Sequence, residues 1–317
     1  MKNNFSYKNF IEKILEFSPR QLEKERETAN FIVNFLKERG IAVKKEEFAT
    51  TVPETKKASL LVDGEEVSCQ NCGLYSGKID RDNIVSSMLP SSCFNEKSNI
   101  NFNPRCEKEI SCNNFYFATA LAVERKDIPV IIKGKEVEGV TEVSPVKHRS
   151  LNILVGNLKN PKNICFAHYD SVNKGAVDNA SGVAVITKLI LDNPETLQDT
   201  LYVYSGNEEV SYDKPTYWGH GFRAFEKKHY EIMNKAKKIM VIDSLGNGPT
   251  IKTEDPSLLF LGFPIKNLEK WKSKISVIAG DINLLMKVYH SDADDLDQIN
   301  EKYLEEGASL LLDTINS

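Results

Sequence analysis

His168, Asp170 and Asp178 fall within one short stretch, ICFAHYDSVNKGAVDNASG (164–182), an apolar run that ends in a small-residue turn. Imidazole and carboxylate are side chains that hold catalytic zinc. Three of them in one strand-to-helix connection read as half of a two-metal hydrolytic site, and the other half has to lie downstream. The candidates there are Glu208 and Glu209 after LYVYSGN, Asp243 at the end of KIMVID, and His290 in VYHSDADDLD. Each piece also has an ordinary reading. An HxD pair on a loop is commonly just solvated, and so is a Glu-Glu pair. An Asp at a strand end often caps the next helix, and SDADDLD suits the positive end of a following helix. Their shared position favours the chemical reading: all four segments put acid or imidazole at the carboxyl end of a strand, where open α/β sheets bind their ligands.

The elements that must position these groups are regular from Leu151 onward. LNILVG, NICFAHY, TLYVYSG (200–206), KIMVIDS (238–244) and ISVIAG (275–280) have strand character. They alternate with helical patterns over 181–192, 222–237 and 301–315. Such alternation predicts an α/β fold: a three-layer α/β/α arrangement around a mixed, mainly parallel central sheet. The chain opens with a short helix over 5–17. A second helix begins at Ser18-Pro19, with Ser as cap and Pro at the first position, and stops at Gly40. A strand over 41–50 follows. The segment 52–147 differs in character. It offers short strands over 58–63, 128–134 and 137–143, an Asp63-Gly64 hairpin turn, and an aperiodic stretch over 86–114 rich in Ser, Asn, Pro and Cys. The expected organisation is a catalytic domain of residues 1–51 and 148–317 interrupted by a β-rich subdomain, 52–147.

The bulk numbers exclude several classes. The 317 residues carry 41 basic and 45 acidic side chains, a formal charge of −4, so electrostatics give no case for nucleic acid or an anionic membrane surface as partner. No stretch approaches the roughly 18 apolar residues that span a bilayer. The N-terminus has charges scattered through it and no secretory apolar core, so a cytoplasmic, soluble protein is expected. An oligomer is neither required nor excluded. The six cysteines then read as reduced thiols. Cys69-x-x-Cys72 with Cys93, Cys106 and Cys112 offers a structural zinc as an alternative, although the later spacing is irregular. Cys165 lies inside a strand and reads as a small buried apolar residue.

In their order along the chain, AHYDS, AVDNASG, GNEEV, VIDSLG and YHSDADDLD resemble metallopeptidase family 28, the co-catalytic zinc exopeptidases. The resemblance covers roughly residues 150–317 and the opening helix and strand. It implies two Zn2+ per chain, with Co2+ or Mn2+ as substitutes. His168 and Asp243 would bind one metal, Glu209 and His290 the other, and Asp178 would bridge them. Glu208 would be the general base. Asp170 would accept the second ring N–H of His168 and fix its tautomer. It also implies a cis peptide at Asp178–Asn179. This chain departs from the family in SYDKPTYWGHGFRAF after Glu209, a longer aromatic loop. Trp218, His220 and Phe222 there are candidates for lining a substrate pocket, or simply pack the loop down. The segment before His290 is abbreviated.

The implied activity is aminopeptidase action on peptides, with water activated between two zincs and Glu208 as base. A carboxypeptidase or dipeptidase of the same fold is the first alternative; it would need a basic pocket, for which Arg223 is the local candidate. A glutaminyl-cyclase-like transferase and a non-catalytic binding protein are the others.

Overall fold

The computed structural model describes residues 5–80, 82, 84–87 and 97–317. Thirteen strands run through it: β1 (Val43–Val62), β2 (Glu65–Glu66), β3 (Cys69–Asn71), β4 (Gly77–Ile79), β5 (Ile84–Ser86), β6 (Asn99–Phe102), β7 (Ala120–Val123), β8 (Val137–Gly156), β9 (Asn163–His168), β10 (Thr200–Ser205), β11 (Lys238–Asp243), β12 (Ile251–Thr253) and β13 (Ile275–Ala279). The main sheet has the order β12-β13-β11-β9-β10-β8-β1-β2, with β4 also paired to β8. Its centre, β13-β11-β9-β10, is parallel. Its flanks are antiparallel. The expected mixed α/β sheet is the one found.

Both faces of the central strands are apolar, as a sheet covered by helices on both sides requires. Alternate residues sort cleanly. Cys165, Ala167, Tyr202, Tyr204, Met240 and Ile242 pack on one face against the helices Tyr7–Leu15, Leu22–Lys37, Ser181–Asp192 and Glu301–Asn316. Ile164, Phe166, Leu201, Val203, Ile239 and Val241 pack on the other against His220–Lys235 and Pro256–Gly262. Parallel register then puts His168 beside Ser205, so that β9, β10 and β11 end at one rim.

Several local expectations are corrected. The second helix starts at Leu22 behind Gln21, not at Ser18-Pro19. That pair is a cis peptide, and Ser18 donates its hydroxyl to the Lys174 carbonyl instead of capping a helix. Residues 128–133 form a helix, not a strand. The run IPVIIK is six residues long, too short for periodicity to decide, and Pro129 sits in the first helical turn, where its missing N–H costs nothing. The strands expected at 41–50 and 58–63 are the two halves of β1, continuous through a register shift between Thr55 and Lys57. Those expected at 137–143 and 151–156 are likewise one strand, β8. β1 and β8 pair along their whole length and extend out of the main sheet. A second sheet, β3-β7-β6-β5, lies beyond them. Within the aperiodic stretch 86–114, β6 adds a strand; residues 88–96, which include Cys93, lie outside the described residues.

Candidate metal and active site

Three backbone turns deliver the site. β9 ends on His168. The chain then passes through Gly175, in the left-handed region at φ 67°, into an irregular turn, Ala176–Ala180, that carries Asp178 and leads into the helix Ser181–Asp192. The Asp178–Asn179 peptide is cis, as the family resemblance implied. Asn179 ties this turn to β11: its amide donates to the Ile242 carbonyl at 2.8 Å and its oxygen accepts from the Gly182 N–H. After β10, Asn207 takes φ 51° and aims Glu208 and Glu209 inward; after β11, Ser244 takes φ 53°. His290 itself sits at φ 49°. Non-glycine residues in this region are uncommon and favour sites where the surroundings dictate the backbone.

The five expected ligands converge. The two oxygens of Asp178 face different partners. Oδ1 lies 3.1 Å from His168 Nε2, and that nitrogen is 3.6 Å from Asp243 Oδ1. Oδ2 lies 3.7 Å from His290 Nε2, which is 2.8 Å from Glu209 Oε2. Among the described residues, His168, Asp178 and Glu209 form the one group with ligand atoms close enough to share an ion. All but Asp243 are at least nine-tenths buried, and Asp243 is partly exposed.

Charge and hydrogen bonding test whether a cation fits. His290 Nδ1 lies 3.0 Å from the Cys112 carbonyl, which requires the proton on Nδ1 and leaves the Nε2 lone pair facing Glu209. A lone pair and a carboxylate oxygen at 2.8 Å need a cation between them, whether proton or metal. Glu209 Oε1 and His290 Nε2 are otherwise buried without partners. Burial pulls the His290 pKa down, but Glu209 and Asp178 outweigh it and raise it to about 9. Burial likewise opposes charge on His168, whose neighbours Asp170, Asp178 and Asp243 hold it well above its ordinary value. Burial raises Glu209 to about 7 and Glu208 well above the carboxylate range, with the mutual repulsion of the acids adding to it. A donor set of imidazole and carboxylate this crowded matches zinc.

Asp170 is placed differently from expectation. Its Oδ1 is 3.5 Å from His168 Nδ1, and that ring nitrogen has no hydrogen-bond partner. The carboxylate instead accepts the backbone N–H of Glu208 at 3.0 Å and of Glu209 at 2.9 Å. It thereby holds the Glu-Glu turn. A short carboxylate fits because the loop between β10 and Glu208 brings both N–H groups to one point.

Two residues with no signal of their own complete the frame. Asp294, within the acidic SDADDLD run, accepts the N–H of Val177 at 2.8 Å and of Asp178 at 3.1 Å. Arg20 is fully buried behind the site and donates to the carbonyls of Tyr169, Lys174 and Gly175. Neither the Asp nor the Arg stands out in a window of sequence, because the partner backbone lies far away along the chain.

An apolar cavity opens beside the ligands. Its wall includes Trp218, Leu258, Leu261, Val277, Met286 and Tyr289. Trp218 thus lies where it was expected. His220 and Phe222 do not: the His220 ring packs on Phe48 and bonds the Ala49 carbonyl, and Phe222 is in the core against Phe166 and Phe263. The chain turns at Gly219 (φ 75°), which sends the following helix away from the cavity. Arg223 is fully engaged with the carbonyls of Asp213, Thr216, Trp218 and Pro264. Among the described residues, the thiols of Cys69, Cys72, Cys106 and Cys112 form no ion-binding group and are free. Burial lifts Cys69 to about 11 and Cys72 to about 12, so both are neutral thiols.

The model of peptidase family M28 matches residues 153–251, the segment that carries His168, Asp170, Asp178, Glu208, Glu209 and Asp243. Over this segment the chain resembles the M28 peptidases. Solved structures agree in fold. The zinc aminopeptidase BSAP from Bacillus subtilis superposes with a TM-score of 0.68 at 13% identity, over 98% of this chain and 93% of that one. The aminopeptidase from Aneurinibacillus sp. strain AM-1 gives 0.63 at 16% identity, over 98% and 92%. The glutaminyl cyclase of Porphyromonas gingivalis gives 0.54 at 13% identity, over 98% and 96%. No curated protein matches this chain in sequence. No helix among the described residues is long and apolar enough to cross a membrane.

Proposed function

We propose that this chain is an M28-type aminopeptidase that holds two zinc ions and removes N-terminal residues from peptides. The observation that carries the reading is the division of Asp178: one oxygen toward His168 and Asp243, the other toward Glu209 and His290. One carboxylate between two donor pairs suits two ions. When bound, zinc supplies a lowered pKa for water and polarisation of the scissile carbonyl. Glu208 lines the cavity without binding either pair, and its burial favours proton acceptance. It takes the proton of the attacking water and returns it to the departing amine. Asp170 keeps Glu208 and Glu209 from exchanging places by fixing both backbone N–H groups. The segment 52–147 is an inserted unit whose Asn113 reaches the cavity wall.

The choice of terminus follows from charge. Among the described residues that line the cavity, none is Lys or Arg, and Arg223 is spent on backbone carbonyls. A pocket for a C-terminal carboxylate would need such a cation. The test is turnover of aminoacyl anilides by the zinc-loaded protein, with N-acetylated controls, metal analysis and Glu208→Gln. The expected results are two zincs per chain, no cleavage of blocked substrates, and loss of at least about a hundredfold in kcat for the variant. Near-full activity of Glu208→Gln refutes the assignment of the base. One zinc per chain, with cyclisation of glutaminyl peptides, favours the transferase instead.

A further inference from the structure

The segment 110–113 belongs to the insertion by sequence but to the active site by contact. Ser111 donates to the Tyr289 carbonyl at 2.6 Å, and the Cys112 N–H donates to the His290 carbonyl at 3.0 Å. The next residue, Asn113, lines the cavity together with Asp178, Glu208, Glu209 and His290. It is 2% exposed. Its amide nitrogen donates to the Ser87 carbonyl. That carbonyl fixes the orientation of the amide, because the reverse would set two acceptors against each other. The remaining atom, Oδ1, is buried and has no hydrogen-bond partner. The anchor is itself braced: Asn114 and Tyr116 both donate to the Ser87 hydroxyl. A buried amide oxygen left unpaired is costly unless something supplies a donor.

We propose that Asn113 is a specificity-determining residue that recognises the free α-amino group of the substrate through its Oδ1. The proposal rests on the aminopeptidase reading and adds the element that makes the site require an N-terminus. An ammonium group brings several donors, and the acids of the site set a negative field around it. A carboxylate or an acylated amine meets an acceptor or bulk at the same point. The residue comes from the insertion, so terminus selection is supplied by 52–147 and not by the central sheet.

The experiment uses the full zinc-loaded chain and two probes with one carbon skeleton, L-leucine and 4-methylpentanoate, titrated calorimetrically into wild type, Asn113→Ala and Asn113→Asp, with zinc content measured for each. Asn113→Ala is expected to weaken leucine binding by about ten- to a hundredfold, the scale of one hydrogen bond to a charged group, and to leave 4-methylpentanoate unchanged. Asn113→Asp retains an acceptor and is expected to keep the preference for leucine. Equal weakening of both probes in Asn113→Ala, or unchanged leucine binding, overturns the proposal; so does loss of the preference in Asn113→Asp at full zinc content. Wild-type turnover of leucyl anilide against its N-acetyl derivative separates the two levels. If wild type cleaves both equally, the aminopeptidase reading fails and Asn113 falls with it. If wild type rejects the blocked substrate while Asn113→Ala binds both probes as wild type does, the proposal alone fails.

Discussion

Replacing Asp170 with Asn separates two roles for that residue. Read from sequence, Asp170 orients His168; in the structure its carboxylate accepts from the backbone of Glu208 and Glu209, at 3.0 and 2.9 Å, while His168 Nδ1 is 3.5 Å away. An Asn side chain retains one acceptor and turns an NH2 group toward the second N–H. One charge-assisted hydrogen bond is lost, about 1.5–3 kcal/mol, because a buried donor then faces another donor. If that loss falls on the placement of Glu208 in the transition state, kcat drops roughly ten- to 150-fold. The assay is kcat and KM on a leucyl anilide at saturating zinc, beside a zinc titration. The backbone role predicts a kcat deficit that excess zinc does not repair. A deficit fully restored by excess zinc returns Asp170 to the service of His168, and wild-type kcat with wild-type zinc affinity refutes both roles.

Other perturbations test the frame. Glu46 is buried among Lys44, His229 and Lys228. Burial alone would raise its pKa, but these partners lower it to about 2. A depressed carboxylate stabilises the fold above its unfolded pKa and loses that contribution as pH falls from about 4.5 toward 2. With solvent screening by the half-exposed lysines, Glu46→Gln is expected to cost about 1–2 kcal/mol at pH 7 and nearly nothing at pH 2, measured by urea unfolding; a pH-independent difference contradicts it. Gly221→Ala places a methyl on the Gly206 carbonyl oxygen, backbone that cannot move without shifting Glu208, so thermal stability and kcat should fall together, the former by about 3 kcal/mol. The wall of Leu258, Leu261, Val277 and Met286 predicts that leucyl and phenylalanyl anilides turn over at least about tenfold faster than lysyl or glutamyl ones; equal rates would contradict an apolar first subsite.

Part of the candidate site was legible because His168, Glu209 and Asp243 sit at or just past the ends of strands whose apolar runs are unmistakable, NICFAH, TLYVYS and KIMVID, whereas Asp178 and His290 lie in turns outside them. What was not legible depends on partners distant in sequence. The true partners of Asp170 are two N–H groups brought up by β10, and those of Asp294 lie in the turn before Asp178. A backbone donor leaves no trace in side-chain chemistry. The helix at 128–133 was misread because six residues carry too little period to separate helix from strand. Trp218, His220 and Phe222 looked equivalent in sequence; one left-handed glycine, Gly219, puts Trp218 on the cavity and the other two elsewhere.

The relation of 52–147 to the site is the point on which a reading by domains and a reading by contacts diverge. A separate cap would touch the catalytic unit through side chains on its surface. Here main-chain groups take part as well as side chains. The Cys112 carbonyl receives the Nδ1 proton of His290, and the Cys112 N–H goes to the carbonyl of the same histidine. Asn103 adds a bond to the Met286 carbonyl at 2.8 Å. β1 and β8, paired from Val43 to Val62 through one register shift, carry the same backbone from one segment into the other. A histidine whose tautomer is set by a carbonyl depends on that carbonyl as closely as on its own loop. Loop geometry around His290 is therefore conditional on the fold of the insertion. The two segments meet around His290, built from parts of the sequence that look unrelated when read in order.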